Sequence, residues 1–95
     1  MGYGIIYSAE ADADYRRIVA KHPIVASRIL DEIDKLAVDP VSLALRPSFP
    51  HQFFPKYQFW ADIESGRCFI TILFQYAVNE SDILIRGIGI TEILD

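Results

Sequence analysis

Side chains able to do chemistry are sparse in this sequence. Its two histidines, His22 and His51, and its single cysteine, Cys68, stand far apart along the chain. Neither a Cys/His zinc pattern nor an internal disulfide can be written from them, and no metal or cofactor is expected. His51 lies among Pro47, Pro50 and Pro55. An imidazole titrates near neutral pH, so His51 is a candidate acid or base; the competing reading is a solvated loop histidine. Lys56 and Arg86 are the cations best suited to hold a phosphate or a partner carboxylate, and with His51 they complete the catalytic candidates. Arg67 faces Glu64 across an expected turn at Ser65-Gly66, an ordinary hairpin ion pair worth at most about 1 kcal/mol. Asp62 and Glu64 read as solvated carboxylates at a strand end. Cys68 reads as a small buried hydrophobe rather than a nucleophile. His22, just before Pro23, reads as a helix-junction residue.

The elements that would position these groups follow from periodicity. Tyr3 to Tyr7 reads as a short strand. Ser8 is an N-cap with Glu10 and Asp12 in the first turn behind it and Arg16, Arg17 and Lys21 toward the end, an order that complements the helix dipole. Ala11, Tyr15, Ile18, Val19 and His22 share one helical face. Pro23 stops that helix and opens the next, whose stripe is Val25, Ala26, Ile29, Leu30, Ile33, Leu36 and Ala37. Arg28–Glu32 and Asp31–Lys35 are i,i+4 pairs on its outside, and Asp39-Pro40 closes it. The prolines forbid regular structure from Val41 to Lys56, a long connection of the kind that is often functional. Strand-like runs follow over Tyr57–Glu64, Arg67–Val78 and Ile83–Ile90, broken by the Ser65-Gly66 turn and by Asn79-Glu80-Ser81-Asp82.

Strand alternation sorts these runs onto two faces. One face carries Tyr57, Phe59, Ala61, Ile63, Cys68, Ile70, Ile72, Phe74, Tyr76, Ile83, Ile85, Gly87 and Gly89. It has no charge and must pack under the helices. The other face is mixed: Trp60, Phe69, Leu73, Leu84, Arg86, Ile88 and Ile90 stand among polar groups. An apolar cluster of this kind marks a partner surface, unless Phe49, Phe53 and Phe54 of the proline-rich segment fold back over it.

Composition bounds the rest. Ninety-five residues make one domain over 1–95, and 52% hydrophobic content suffices for its core without staples. A net charge of −4 works against nucleic-acid binding by general electrostatics. The N-terminal apolar stretch is too short for a signal or a membrane span, so a cytoplasmic address is expected.

The order of strand, helical hairpin and three strands resembles the RelE/ParE superfamily of bacterial toxin–antitoxin toxins. The resemblance rests on Tyr7-Ser8-Ala9-Glu10-Ala11, Ile33-Asp34-Lys35-Leu36-Ala37-Val38-Asp39-Pro40, Ile70-Thr71-Ile72-Leu73-Phe74 and Ile85-Arg86-Gly87-Ile88-Gly89. It implies an α+β fold, a helical hairpin packed on a three-stranded antiparallel sheet. It also implies a cognate antitoxin as partner, and DNA gyrase or the ribosome as target. In the mRNA-cleaving branch an arginine and a histidine, tyrosine or arginine occupy positions that match Thr71 and Ile90–Thr91 here. Neither Thr71 nor Ile90 can serve as a general base, so the resemblance points to a non-nuclease inhibitor or a weakly active member. The alternatives are a ribosome-dependent mRNA endonuclease and a non-catalytic interaction module that uses the mixed face to form a homodimer. The expected contact residues are Trp60, Phe69, Leu73, Arg86, Ile88 and Ile90.

Overall fold

The computed structural model describes residues 2–43 and 55–94. Strand β1 (Gly4–Tyr7) leads through Ser8 into helix α1 (Ala9–Lys21). The Ser8 hydroxyl accepts the Ala11 N–H at 3.1 Å, the N-cap bond its position predicts. Helix α2 (Pro23–Val38) begins with Pro23 in its first turn, where a missing N–H costs nothing. His22 is the residue between the two helices. A short helical turn, α3 (Pro40–Leu43), follows, so the break expected from Val41 begins inside a helix. Strands β2 (Lys56–Ile63), β3 (Gly66–Tyr76) and β4 (Asp82–Leu94) complete the order.

The sheet has four strands rather than three, in the order β1-β4-β3-β2. β2, β3 and β4 are antiparallel neighbours as expected, and β1 joins beside β4 in parallel. The helices cover one face, and the buried residues form a single cluster. Ile29, Ile33 and Leu36 of α2 meet Ile70, Ile72 and Phe74 of β3 and Ile83 and Ile85 of β4 there. Cys68 is fully buried, as its place on that face predicts, and burial pushes its thiol pKa up. Val19 and Leu30, expected in the helical stripes, remain exposed at the flanks.

Two register details change which side chains meet. Ile63 pairs with Gly66, so the β2–β3 turn is Glu64-Ser65 and not Ser65-Gly66. That slide preserves the two faces but moves each partner by two residues: Arg67 stands opposite Asp62, and Trp60 opposite Phe69. The second change is a β-bulge. Phe74 pairs with Ile85 and Leu73 with Gly87, which makes Arg86 the extra residue. A bulge inserts one residue and so reverses the alternation of everything beyond it. Ile88 and Ile90 therefore pair with Ile72 and Ile70 on the core face, and Gly87 and Gly89 move to the outer face. Ile88 is 5% exposed. The expected places of Ile88 and Ile90 on the mixed face are thus corrected, for charge-free reasons that alternation alone cannot reveal.

Candidate functional site

The outer face of the sheet, opposite the helices, holds most of the side chains singled out from sequence. Its centre is aromatic. The Trp60 and Phe69 rings sit 4.8 Å apart, tilted by 50°, a contact that adds to simple area burial. The Arg67 guanidinium lies 4.5 Å from the centre of the Trp60 ring. A cation held over an indole face is attracted by its quadrupole, which fixes Arg67 by a stacking contact instead of the expected pairing with Glu64. Trp60 stays 43% exposed and Leu73 37% exposed. They remain an apolar patch despite these contacts.

The next row along the sheet is Gln58, Thr71 and Gly89. Gln58 donates to the Thr71 hydroxyl at 3.0 Å. Ile90, expected opposite Thr71, instead faces Ile70, while Thr91 lies opposite Phe69. No ionisable side chain belongs to this row. Lys56 occupies the following row with Leu73 and Gly87, beside the bulge at Arg86, rather than in line with Gln75. Lys56 on β2 and Arg86 on β4 therefore lie on opposite sides of β3. The Arg86 carbonyl accepts the Ser8 hydroxyl at 3.0 Å, which pins the bulge to the start of α1. His51, with Phe49, Phe53 and Phe54, lies outside the described residues, so neither its role nor the covering of the face by that segment is placed.

Two polar clusters on the helix side escape a reading by alternation. Glu32, expected on the outside of α2, is 5% exposed. It accepts from the Tyr57 hydroxyl at 2.5 Å and from Lys35 at 3.1 Å, with Arg28 at 3.8 Å. Burial pushes its carboxyl pKa up, but the Tyr57 and Lys35 hydrogen bonds and the two cations outweigh that and hold it below the ordinary range. Tyr57 answers in the other direction: burial, and its bond to the Glu32 carboxylate, push its phenol up to about 12. The signal in the sequence was the Arg28–Glu32–Lys35 spacing, which places two cations around one carboxylate. The second cluster joins His22 and Lys21 to Glu92, each at 2.8 Å. The His22 and Lys21 hydrogen bonds lower the Glu92 pKa. Glu92 reaches the helices only because the bulge turned it to the core side.

No protein-family model matches the sequence, and no curated protein does either. In three dimensions the chain is similar to a chain of the crystal structure of the toxin–antitoxin complex RelBE2 from Mycobacterium tuberculosis. The TM-score is 0.69, covering 94% of this chain and 98% of that one, at 9% sequence identity. The fold is RelE-like. At so low an identity, the RelE-like fold fixes the path of the backbone and leaves the side-chain chemistry to be read from this chain alone. Among the described residues no group of three or more histidines, cysteines and carboxylates is arranged to hold a metal ion. No described helix is long and apolar enough to cross a membrane.

Proposed function

We propose that this protein is the toxin of a toxin–antitoxin pair, acts by binding its target rather than by cutting RNA, and is neutralised by an antitoxin segment on the outer face of the sheet. The RelE-like fold supports the class, since the similar solved structure is a toxin–antitoxin complex. The observation that carries the finer reading is the row Gln58–Thr71–Gly89. Cleavage of RNA at a 2′-hydroxyl needs a base for that proton, an acid for the leaving oxygen and a charge for the phosphate. Threonine, glutamine and glycine supply none of these, and one lost acid or base alone costs roughly 10²–10⁴ in rate. What the face offers in their place is Trp60, Phe69 and Leu73, edged by Arg67 and Lys56. Aromatic and arginine side chains of this kind anchor protein–protein contacts. Under this reading the target is a protein such as DNA gyrase, and the ribosome is the target only if the nuclease reading holds.

Induced expression in a bacterial host, with growth and viability counted, is the first test. Arrest is expected. Normal growth with soluble protein would leave a non-catalytic interaction module of the same fold. The second test adds the protein to an in vitro translation reaction and maps the message by primer extension. No codon-specific breaks are expected. Breaks that vanish in a Lys56→Ala, Arg86→Ala double variant would restore the nuclease reading and centre it on those two residues.

A further inference from the structure

His22 and Glu92 meet where α1 joins α2, on the helix side of the sheet. Glu92 Oε1 takes both His22 Nε2 and Lys21 Nζ at 2.8 Å. The His22 and Lys21 hydrogen bonds lower the Glu92 pKa, so at neutral pH it is a carboxylate and can only accept. The shared proton therefore sits on Nε2, and neutral His22 carries its lone pair on Nδ1. Among the described residues nothing bonds Nδ1. No buried side-chain nitrogen or oxygen there lacks a partner, so Nδ1 is open to solvent although the side chain is only 18% exposed.

His22 forms part of the wall of two cavities. The smaller, of about 360 Å³, lies on the β4 side with Glu92. The larger, of about 510 Å³, lies between the helix junction and the end of β2. Pro23, Ile24, Val25 and Ile63 give it apolar walls, and Asp62 and Glu64 add two exposed carboxylates. Apolar walls with a few polar groups, in a space of this size, are the usual lining of a small-molecule site. α2 has no side-chain cap, and its Ile24 and Val25 N–H groups have no backbone acceptor among the described residues, the condition in which helix starts leave them.

We propose that His22, oriented by Glu92, is the general base of a site that hydrolyses small neutral esters in the cavity between the helix junction and β2. A water gives a proton to Nδ1 while its oxygen adds to the ester carbonyl carbon. The carbonyl oxygen gains negative charge, which the Ile24 and Val25 N–H groups can receive. The bond from that carbon to the leaving oxygen then breaks. Its electron pair goes to the leaving oxygen, and the imidazolium returns the proton there. One ester and one water become one acid and one alcohol, with no change of oxidation state. Asp62 and Glu64 disfavour an anionic substrate, and the apolar walls suit a short acyl chain. Glu92 touches no substrate and is a positioning residue. The site lies on the helix side, so it stands whatever the outer face binds.

The test is hydrolysis of p-nitrophenyl butyrate by the full chain, followed by release of nitrophenolate. Saturable turnover is expected, about a hundredfold or more above an equal concentration of free imidazole, and slower in heavy water. His22→Gln should lose about a hundredfold in kcat. Glu92→Gln should lower kcat with KM unchanged, and in nitrogen NMR spectra His22 should pass from the Nε2–H tautomer to a mixture. Ile24 is 84% exposed, so Ile24→Ala leaves the fold intact and should raise KM severalfold. The anionic mono-p-nitrophenyl succinate should react about tenfold more slowly or worse. The proposal is overturned by turnover no faster than free imidazole, by full activity in His22→Gln, by equal rates in light and heavy water, or by a proton held on Nδ1. An unchanged KM in Ile24→Ala, or equal rates for the two esters, would place the reaction outside this cavity and overturn it too.

Discussion

Glu32 and Tyr57 tie the middle of α2 to the start of β2 through one short hydrogen bond. A buried carboxylate that loses such a donor keeps its desolvation cost without the compensation, so Tyr57→Phe should destabilise the protein by about 1.5–3 kcal/mol at neutral pH. The pH dependence has a definite sign. The Glu32 pKa is lower in the folded protein than its ordinary value of 4.5. Its contribution is therefore fully present above that value and lost as pH falls below it. Urea unfolding of the parent and of Glu32→Gln, at pH 7 and pH 3, reads this directly. The parent should lose more stability on acidification than the variant does. Equal losses would place the acid sensitivity at Glu92 or elsewhere. Cys68 and His22 were legible as residues, one buried and one at a helix junction. The partner of His22 was not, since the strand expected to end at Ile90 runs on to Leu94 and the bulge turns Glu92 toward the helices.

At the scale of the element, alternation sorted β2, β3 and the first part of β4 onto the right faces. A turn misplaced by one residue did no harm there, because both strands shifted together and parity survived. The bulge at Arg86 is different in kind. It adds one residue to one strand, and nothing in Ile85-Arg86-Gly87-Ile88 favours one parity strongly, since isoleucine is acceptable on either face and the glycines contribute no side chain. The consequence is measurable. Ile72→Ala should cost about 2–5 kcal/mol, and Ile88→Ala should fall in the same range because the two residues face each other inside the core. A denaturant midpoint for Ile88→Ala within error of the parent, with an unchanged slope, would return Ile88 to the surface and remove the bulge.

For the whole molecule, strand and helix order was readable almost throughout, because a helical hairpin between β-branched runs leaves few ways to bury both. The parallel pairing of β1 with β4 was not, as it joins the two ends of the chain and leaves no local periodicity. The layered arrangement leaves Trp60 partly exposed on the side away from the helices. Placing a charge there should break any association that uses the face: Trp60→Asp is expected to turn a dimer into a monomer or to release a co-purifying antitoxin. Burial of such an aromatic is worth a few kcal/mol at roughly 25 cal/mol per Å². Light scattering that shows a monomer before and after the change, with no partner retained, would remove the outer face as an association surface.

The union of β1 with β4 also sets a timetable. The Ser8 hydroxyl and the Arg86 carbonyl it binds are separated by 78 positions. During synthesis at roughly 5–20 residues per second, the first strand waits roughly 4–16 s before its neighbour exists. Until then Ile5 and Ile6 have no ladder to join, and the helical hairpin has only local contacts to hold it. Closing so long a loop slows folding relative to a helical domain of equal size. A nascent chain therefore stays incomplete, and open to capture by whatever binds its unfinished sheet, until β4 has been made.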